Sequence, residues 1–183
     1  MPNTSCLNLF AYGTLMDREE LALDLVLPPS ELDRRFRIKV AEAAGYRRVY
    51  NKNVPEAGGA VLNLGLDKEA SVVGFLVMDI TNQELGMLDA SFPTHLPRKL
   101  IEVECEGEKV PAVAYLAKQV DEGGVVSETY EKRVLELVQG LGEPVLANFM
   151  EHTYQADGTP RYRKPAPASP EPPAAPEAPA ETS

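Results

Sequence analysis

Leu9-Phe10-Ala11-Tyr12-Gly13-Thr14-Leu15-Met16 is where this chain passes from one kind of structure to another. Its apolar first half reads as a strand, and Asp17-Arg18-Glu19-Glu20 directly after it reads as an acidic helix start. The Tyr-Gly-Thr-Leu junction is then a turn at a strand end. Gly13 permits the turn, and its neighbours' amides point at whatever sits beyond the strand. A bare strand-to-helix turn accounts for Gly13 equally well.

Outward from this junction, short β patterns alternate with helical ones. The first strand covers residues 7–12, and a short helix over 17–26 is stopped by Pro28-Pro29. Phe36, Ile38 and Val40 alternate with Arg37 and Lys39, which predicts a half-buried strand with the apolar set inward. An extended stretch over 45–50 leads into a loop over 51–55, and strands follow at 60–66 and 72–80. The last is apolar nearly throughout and reads as central. Thr81-Asn82-Gln83-Glu84 has the spacing of a capping box and opens a helix through Leu85, Leu88 and Asp89. Residues 99–105 and 110–117 form a hairpin around Glu106-Gly107-Glu108. Ser127 is placed to cap a helix carrying Tyr130, Val134, Leu137, Val138 and Leu141 on one face, and a final amphipathic stretch covers 145–154. Six or seven strands, mostly antiparallel, with three or four helices predict an α+β fold. The expected form is a small mixed, mostly antiparallel β-barrel with flanking α-helices.

The 183 residues suffice for one domain, expected over 1–157. Residues 158–183 form a Pro/Ala-rich tail holding half of the sixteen prolines and nothing aromatic after Tyr162. Such a segment buries too little apolar surface to offset the entropy of ordering, so a disordered, partly polyproline-II tail is expected. A net charge of −10 with no long basic run argues against nucleic acid and anionic membrane as partners. The start lacks a signal-like apolar run and no stretch reaches membrane-spanning length, so a cytoplasmic protein is expected. Cys6 and Cys105 sit in or beside strand patterns and read as buried thiols. The two histidines and two cysteines lack ligand spacing, and no Gly-rich phosphate motif follows a strand, so neither metal nor cofactor is expected.

Five segments, in order, resemble the gamma-glutamylcyclotransferase-like superfamily of AIG2-like or gamma-glutamylamine cyclotransferase type. They are Tyr12-Gly13-Thr14-Leu15, Gly45-Tyr46-Arg47-Arg48-Val49-Tyr50, Ala60-Val61-Leu62 with Val73-Gly74-Phe75-Leu76, Glu84-Leu85 with Leu88-Asp89, and Val113-Ala114-Tyr115 followed by Ser127 and Tyr130. The resemblance implies release of 5-oxoproline: a substrate's α-amine attacks its own γ-carbonyl and the far amine leaves. Such a reaction needs one group to move protons and donors for the oxyanion. The resemblance implies substrate-binding roles for Tyr12, Gly13, Thr14, Leu15 and Tyr130, although Tyr130 also fits the helix's apolar stripe. It puts the acid/base Glu three residues after Asp89, where this chain has Phe92.

An aromatic ring shuttles no proton. Asp89 and His95 are the weak substitutes, with bracing of the helix end and plain surface as their competing readings. Ser91 lacks an evident base partner. Glu102, Glu104 and Glu106 alternate with apolar residues as a solvated strand face. Arg98 reads as a ligand-carboxylate contact or a surface strand start. Three functions remain open: a cyclotransferase with a relocated acid/base, a non-catalytic module binding a gamma-glutamyl or similar carboxylate, and an interaction scaffold that uses the tail.

Overall fold

The computed structural model describes residues 6–91, 96–117 and 125–160. Five strands form one sheet: β1 (Cys6–Ala11), β2 (Arg37–Val54), β3 (Gly59–Thr81), β4 (Arg98–Cys105) and β5 (Glu108–Tyr115). Their order β1-β3-β2-β4-β5 closes into a barrel. All pairings are antiparallel except the closing one, where β1 meets β5 in parallel at Leu9 and Val113. The helices α1 (Arg18–Asp24), α2 (Pro29–Arg35), α3 (Asn82–Ser91), α4 (Glu128–Leu141) and α5 (Val145–Thr153) flank it. The α+β barrel expected from the β patterns is thus the fold, with five strands rather than six or seven among the described residues.

The lower strand count has a local cause. β2 and β3 form one long hairpin, paired from Val54 with Gly59 to Arg37 with Met78. Its register breaks at Gly45, opposite residues 67–70, where the sequence reads as an interruption between separate strands. Backbone pairing resumes beyond the break, so residues 51–54 are strand and not loop. Of the inward set expected at 36–40, Phe36 is buried but Val40 turns outward. Val40 is 42% exposed while Ala41 and Ala43 are buried, so the small side chains of β2 take the interior parity. Ile38 instead packs half-buried against the core. α1 ends at Asp24, short of Pro28-Pro29, with Leu25 as its C-cap and Val26 at positive φ, and Pro29 instead opens α2 at its first position, where the missing N–H costs nothing.

Local chemistry sets several boundaries. Asp17 caps α1 by accepting from the Glu19 and Glu20 amides. Glu106 and Gly107 both have positive φ in the β4–β5 turn, as a two-residue hairpin requires. At the head of α3 the capping box closes: the Thr81 hydroxyl accepts from the Glu84 amide at 3.2 Å, and Glu84 accepts the Thr81 amide at 2.8 Å. Glu84 also takes a forked pair of hydrogen bonds from Arg35 of α2 at 2.7 and 2.8 Å. Thr81→Ala is therefore expected to cost about 1 kcal/mol in urea unfolding, with the midpoint lowered and the slope unchanged.

One core cluster joins the barrel to its helices, from Leu9 and Phe10 on β1 to Val134, Val138 and Phe149 on α4 and α5. Cys105 is buried as expected, but Cys6 is exposed because it stands at the outer end of β1. No helix among the described residues is long and apolar enough to cross a membrane. The Tyr154–Pro160 bridge carries described structure past residue 157, while 161–183 lie outside the described residues.

Candidate functional site

β1 ends at Ala11, and the chain turns through Tyr12 and Gly13 into a short 3-10 turn, Thr14–Met16. The Met16 amide donates to the Gly13 carbonyl at 2.9 Å and the Asp17 amide to the Thr14 carbonyl at 2.9 Å, which sets the bend. Tyr12 is held at both ends. Its hydroxyl donates to the Tyr115 carbonyl at 2.5 Å, and its own carbonyl accepts from Arg48 Nε at 2.9 Å. Burial pushes the Tyr12 phenol far above its ordinary pKa, so it stays protonated and keeps that donor. Gly13 has φ −128° and ψ −136°, and a Cβ there would come within 3.2 Å of the Tyr130 hydroxyl. The glycine leaves room for α4 to bring Tyr130 against the turn.

Arg48 anchors this arrangement from below. It is fully buried, donates to the Tyr12 carbonyl, to Asn148 Oδ1 at 3.0 Å and to the Val73 carbonyl, and lies 5.0 Å from the Phe149 ring centre. Desolvation pulls its pKa down to about 9, still protonated at neutral pH. Asn148 in turn accepts the Val73 amide and donates to the Ser71 carbonyl, so α5, β3 and the Tyr12 turn are tied through two side chains.

A cavity of about 260 Å³ opens beside the turn. Tyr12, Gly13, Thr14, Leu15 and Tyr130 all line it, so the residues singled out for binding meet at one place. Ser127 places Tyr130 by capping α4: its hydroxyl accepts the Tyr130 amide at 3.3 Å and donates to the Ala57 carbonyl. Tyr130 is half-buried, packing on the core and facing the cavity at once. Phe10, Val61 and Leu62 supply an apolar wall.

Three charged residues in the lining escaped sequence reasoning: Glu20, Asp24 and Arg133. Glu20 Oε2 lies 2.5 Å from Arg133 Nη2 and takes a side-chain hydrogen bond from Thr14. Desolvation raises its pKa above the ordinary carboxylate value, opposed by the Arg133 charge and supported by Asp24 and Asp17. The available signal was spacing: Glu20 lies one turn into the helix after the Tyr-Gly-Thr-Leu segment, and Arg133 follows Tyr130 by three positions on one helix face.

Asp89 is occupied elsewhere. It accepts from the Tyr115 hydroxyl at 2.9 Å and pairs with Arg98 at 2.9 Å, which braces the end of α3 against β4 and β5. Arg98 is thereby committed to Asp89. Glu102 and Glu104 are exposed between buried neighbours as a solvated face of β4, whereas Glu106, expected on the same face, lies past the strand end in the β4–β5 turn. Phe92 and His95 lie outside the described residues, whereas the flanking Ser91 and Leu96 line the cavity. Among the described residues no group of three or more His, Cys, Asp or Glu is placed to hold a metal ion.

Comparison with known proteins agrees with the fold. Residues 9–134 match the family model described as gamma-glutamyl cyclotransferase, AIG2-like. The chain belongs to the gamma-glutamyl cyclotransferase, AIG2-like family. Among solved structures it is similar to a gamma-glutamyl cyclotransferase at 16% identity, over 79% of this chain and 85% of that one, TM-score 0.64. It is also similar to an uncharacterized protein from Homo sapiens at 16% identity, over 78% and 83%, TM-score 0.61. YkqA from Bacillus subtilis matches at 17% identity, over 81% of this chain and 54% of that one, TM-score 0.62. No curated protein sequence matches the chain.

Proposed function

We propose that the cavity takes the γ-glutamyl head of a small amide or amine conjugate and that the chain releases 5-oxoproline from it. The observation carrying this reading is the convergence of the Tyr12–Leu15 turn, Tyr130 and a half-buried carboxylate on one cavity. The turn's backbone amides are preorganised donors for a carboxylate or a developing oxyanion. The apolar wall excludes water from the reacting carbonyl, and family membership supplies the reaction class. A cytoplasmic setting, without nucleic acid or membrane as partner, fits the acidic composition.

A second reading rests on one fact of sequence, Phe92 at the position where the family resemblance puts the acid/base Glu. In that reading the cavity binds the same ligand class without turnover. The two separate by assaying 5-oxoproline release from a γ-glutamyl amino acid, a γ-glutamyl alkylamine and glutathione, with Phe92→Glu alongside. Turnover by the natural chain is the expected result. A silent natural chain with an active Phe92→Glu variant would establish the binding module instead.

A further inference from the structure

Resting on the cyclotransferase reading, we infer that Glu20 is the acid/base of this pocket, held in place by Arg133 and Thr14. The geometry of the cavity carries the assignment. Among the described lining residues the carboxylates are Glu20 and Asp24, both on α1 directly after the Tyr12–Leu15 turn. Glu20 is the one with two orienting partners, the Arg133 guanidinium at 2.5 Å and the Thr14 hydroxyl. Tyr130 lines the same cavity beside Thr14, close enough for its phenol to feel the Glu20 charge. Asp89, the carboxylate nearest in sequence to the expected position, is outside the lining and spent on Tyr115 and Arg98.

Exposure matches the roles. Glu20's side chain is 22% exposed and Arg133's is 55%, so the carboxylate sits inside the mouth with the guanidinium at its rim. In the proposed step Glu20 takes one proton from the substrate's α-ammonium. The freed amine adds to the γ-carbonyl carbon, forming the lactam C–N bond. As the original amide C–N bond breaks, Glu20 returns its proton to the leaving nitrogen. The second proton lost by the attacking nitrogen passes through solvent to the released amine, which departs as an ammonium. Ammonium plus amide becomes lactam plus ammonium, and charge is conserved without any co-reactant.

The groups acting on Glu20 are Arg133 from α4, Asp24 and Asp17 from the α1 segment, and Thr14 from the turn. Tyr130, also on α4, feels its charge in turn. Desolvation and the two aspartates favour its protonated form; Arg133 and Thr14 favour the carboxylate.

The test compares 5-oxoproline release by the full chain with that of Glu20→Gln, Glu20→Asp and Arg133→Met, using the same three γ-glutamyl substrates across pH. Glu20→Gln should lose about 10² to 10⁴ in kcat with KM little changed, and Glu20→Asp should recover part of the loss. The acidic limb of kcat/KM should lie above the ordinary carboxylate range and move further up in Arg133→Met. A merely structural role for Arg133 would not produce that shift. If the natural chain turns over and Glu20→Gln keeps activity within threefold, the assignment is overturned while the cyclotransferase reading stands. If the natural chain is silent on every substrate, both fall.

Discussion

Arg48→Met is expected to destabilise the protein by about 3–5 kcal/mol, the net cost of unmaking three buried hydrogen bonds. The Tyr12 carbonyl of the site turn and the Val73 carbonyl of β3 lose their Arg48 donor, and Asn148 Oδ1 on α5 is left with the Val73 amide alone. Methionine fills a similar volume, so the loss comes from hydrogen bonding more than from a cavity. No carboxylate is among the hydrogen-bond partners of this buried guanidinium, and removing the charge also removes its desolvation cost. That relief keeps the net loss below the sum of the three unmade bonds. Thermal unfolding should show the midpoint falling by roughly 6–20 °C. Because Arg48 holds the Tyr12 carbonyl, ligand affinity should fall too, in a variant assayed well below its unfolding transition. A midpoint within a degree or two of the natural chain would mean that water replaces the guanidinium on all three acceptors.

Arg48 also marks the limit of what the sequence discloses. Gly45-Tyr46-Arg47-Arg48-Val49-Tyr50 reads as an extended stretch with two adjacent arginines, and alternation alone does not say which one is swallowed. Burial resolves it: Arg48 is inside, whereas Arg47 pairs at 2.8 Å with Asp67 nearer the surface. Features written in neighbouring residues were legible: the capping box at Thr81, the Ser127 cap, the Glu106-Gly107 turn and the alternating β4 face. Each depends on contacts a few positions apart. The fusion of strands into β3 was not, because pairing with β2 carries strand structure across the break at 67–70. The site divides the same way. Tyr12 to Leu15 are contiguous and stand out, while the Glu20–Arg133 pair joins residues from α1 and α4 that only the closed barrel brings together.

Gly74→Ala is expected to cost about 3 kcal/mol or more, at the upper end of what one added methyl does in a packed interior. A Cβ built on Gly74 overlaps the Ala11 carbonyl oxygen and comes to 3.0 Å from the Phe10 ring. The first of these is backbone, so no rotamer change relieves it; β1 must move away from β3. The adjacent register pairs Ala11 with Phe75 and Phe10 with Leu76, and those ladder bonds resist the movement. Close approach of a neighbouring backbone is what this glycine permits within an otherwise apolar central strand. A midpoint drop of roughly 6–12 °C is the expected thermal signature. The displacement has a second consequence, because Ala11 is followed directly by Tyr12 and Gly13. Pushing the end of β1 outward shifts the turn relative to Tyr130, whose hydroxyl already lies 3.2 Å from where a Gly13 Cβ would be. Catalysis is sensitive to misplacements of about 1 Å, so under the proposed cyclotransferase function turnover of γ-glutamyl substrates should fall by about 10²-fold in protein that is still folded. Gly86→Ala serves as the comparison, since its added methyl meets nothing within 4 Å and α3 gains a better helix former. Equal stability of the two variants would show that β1 and β3 separate more easily than their close contact implies.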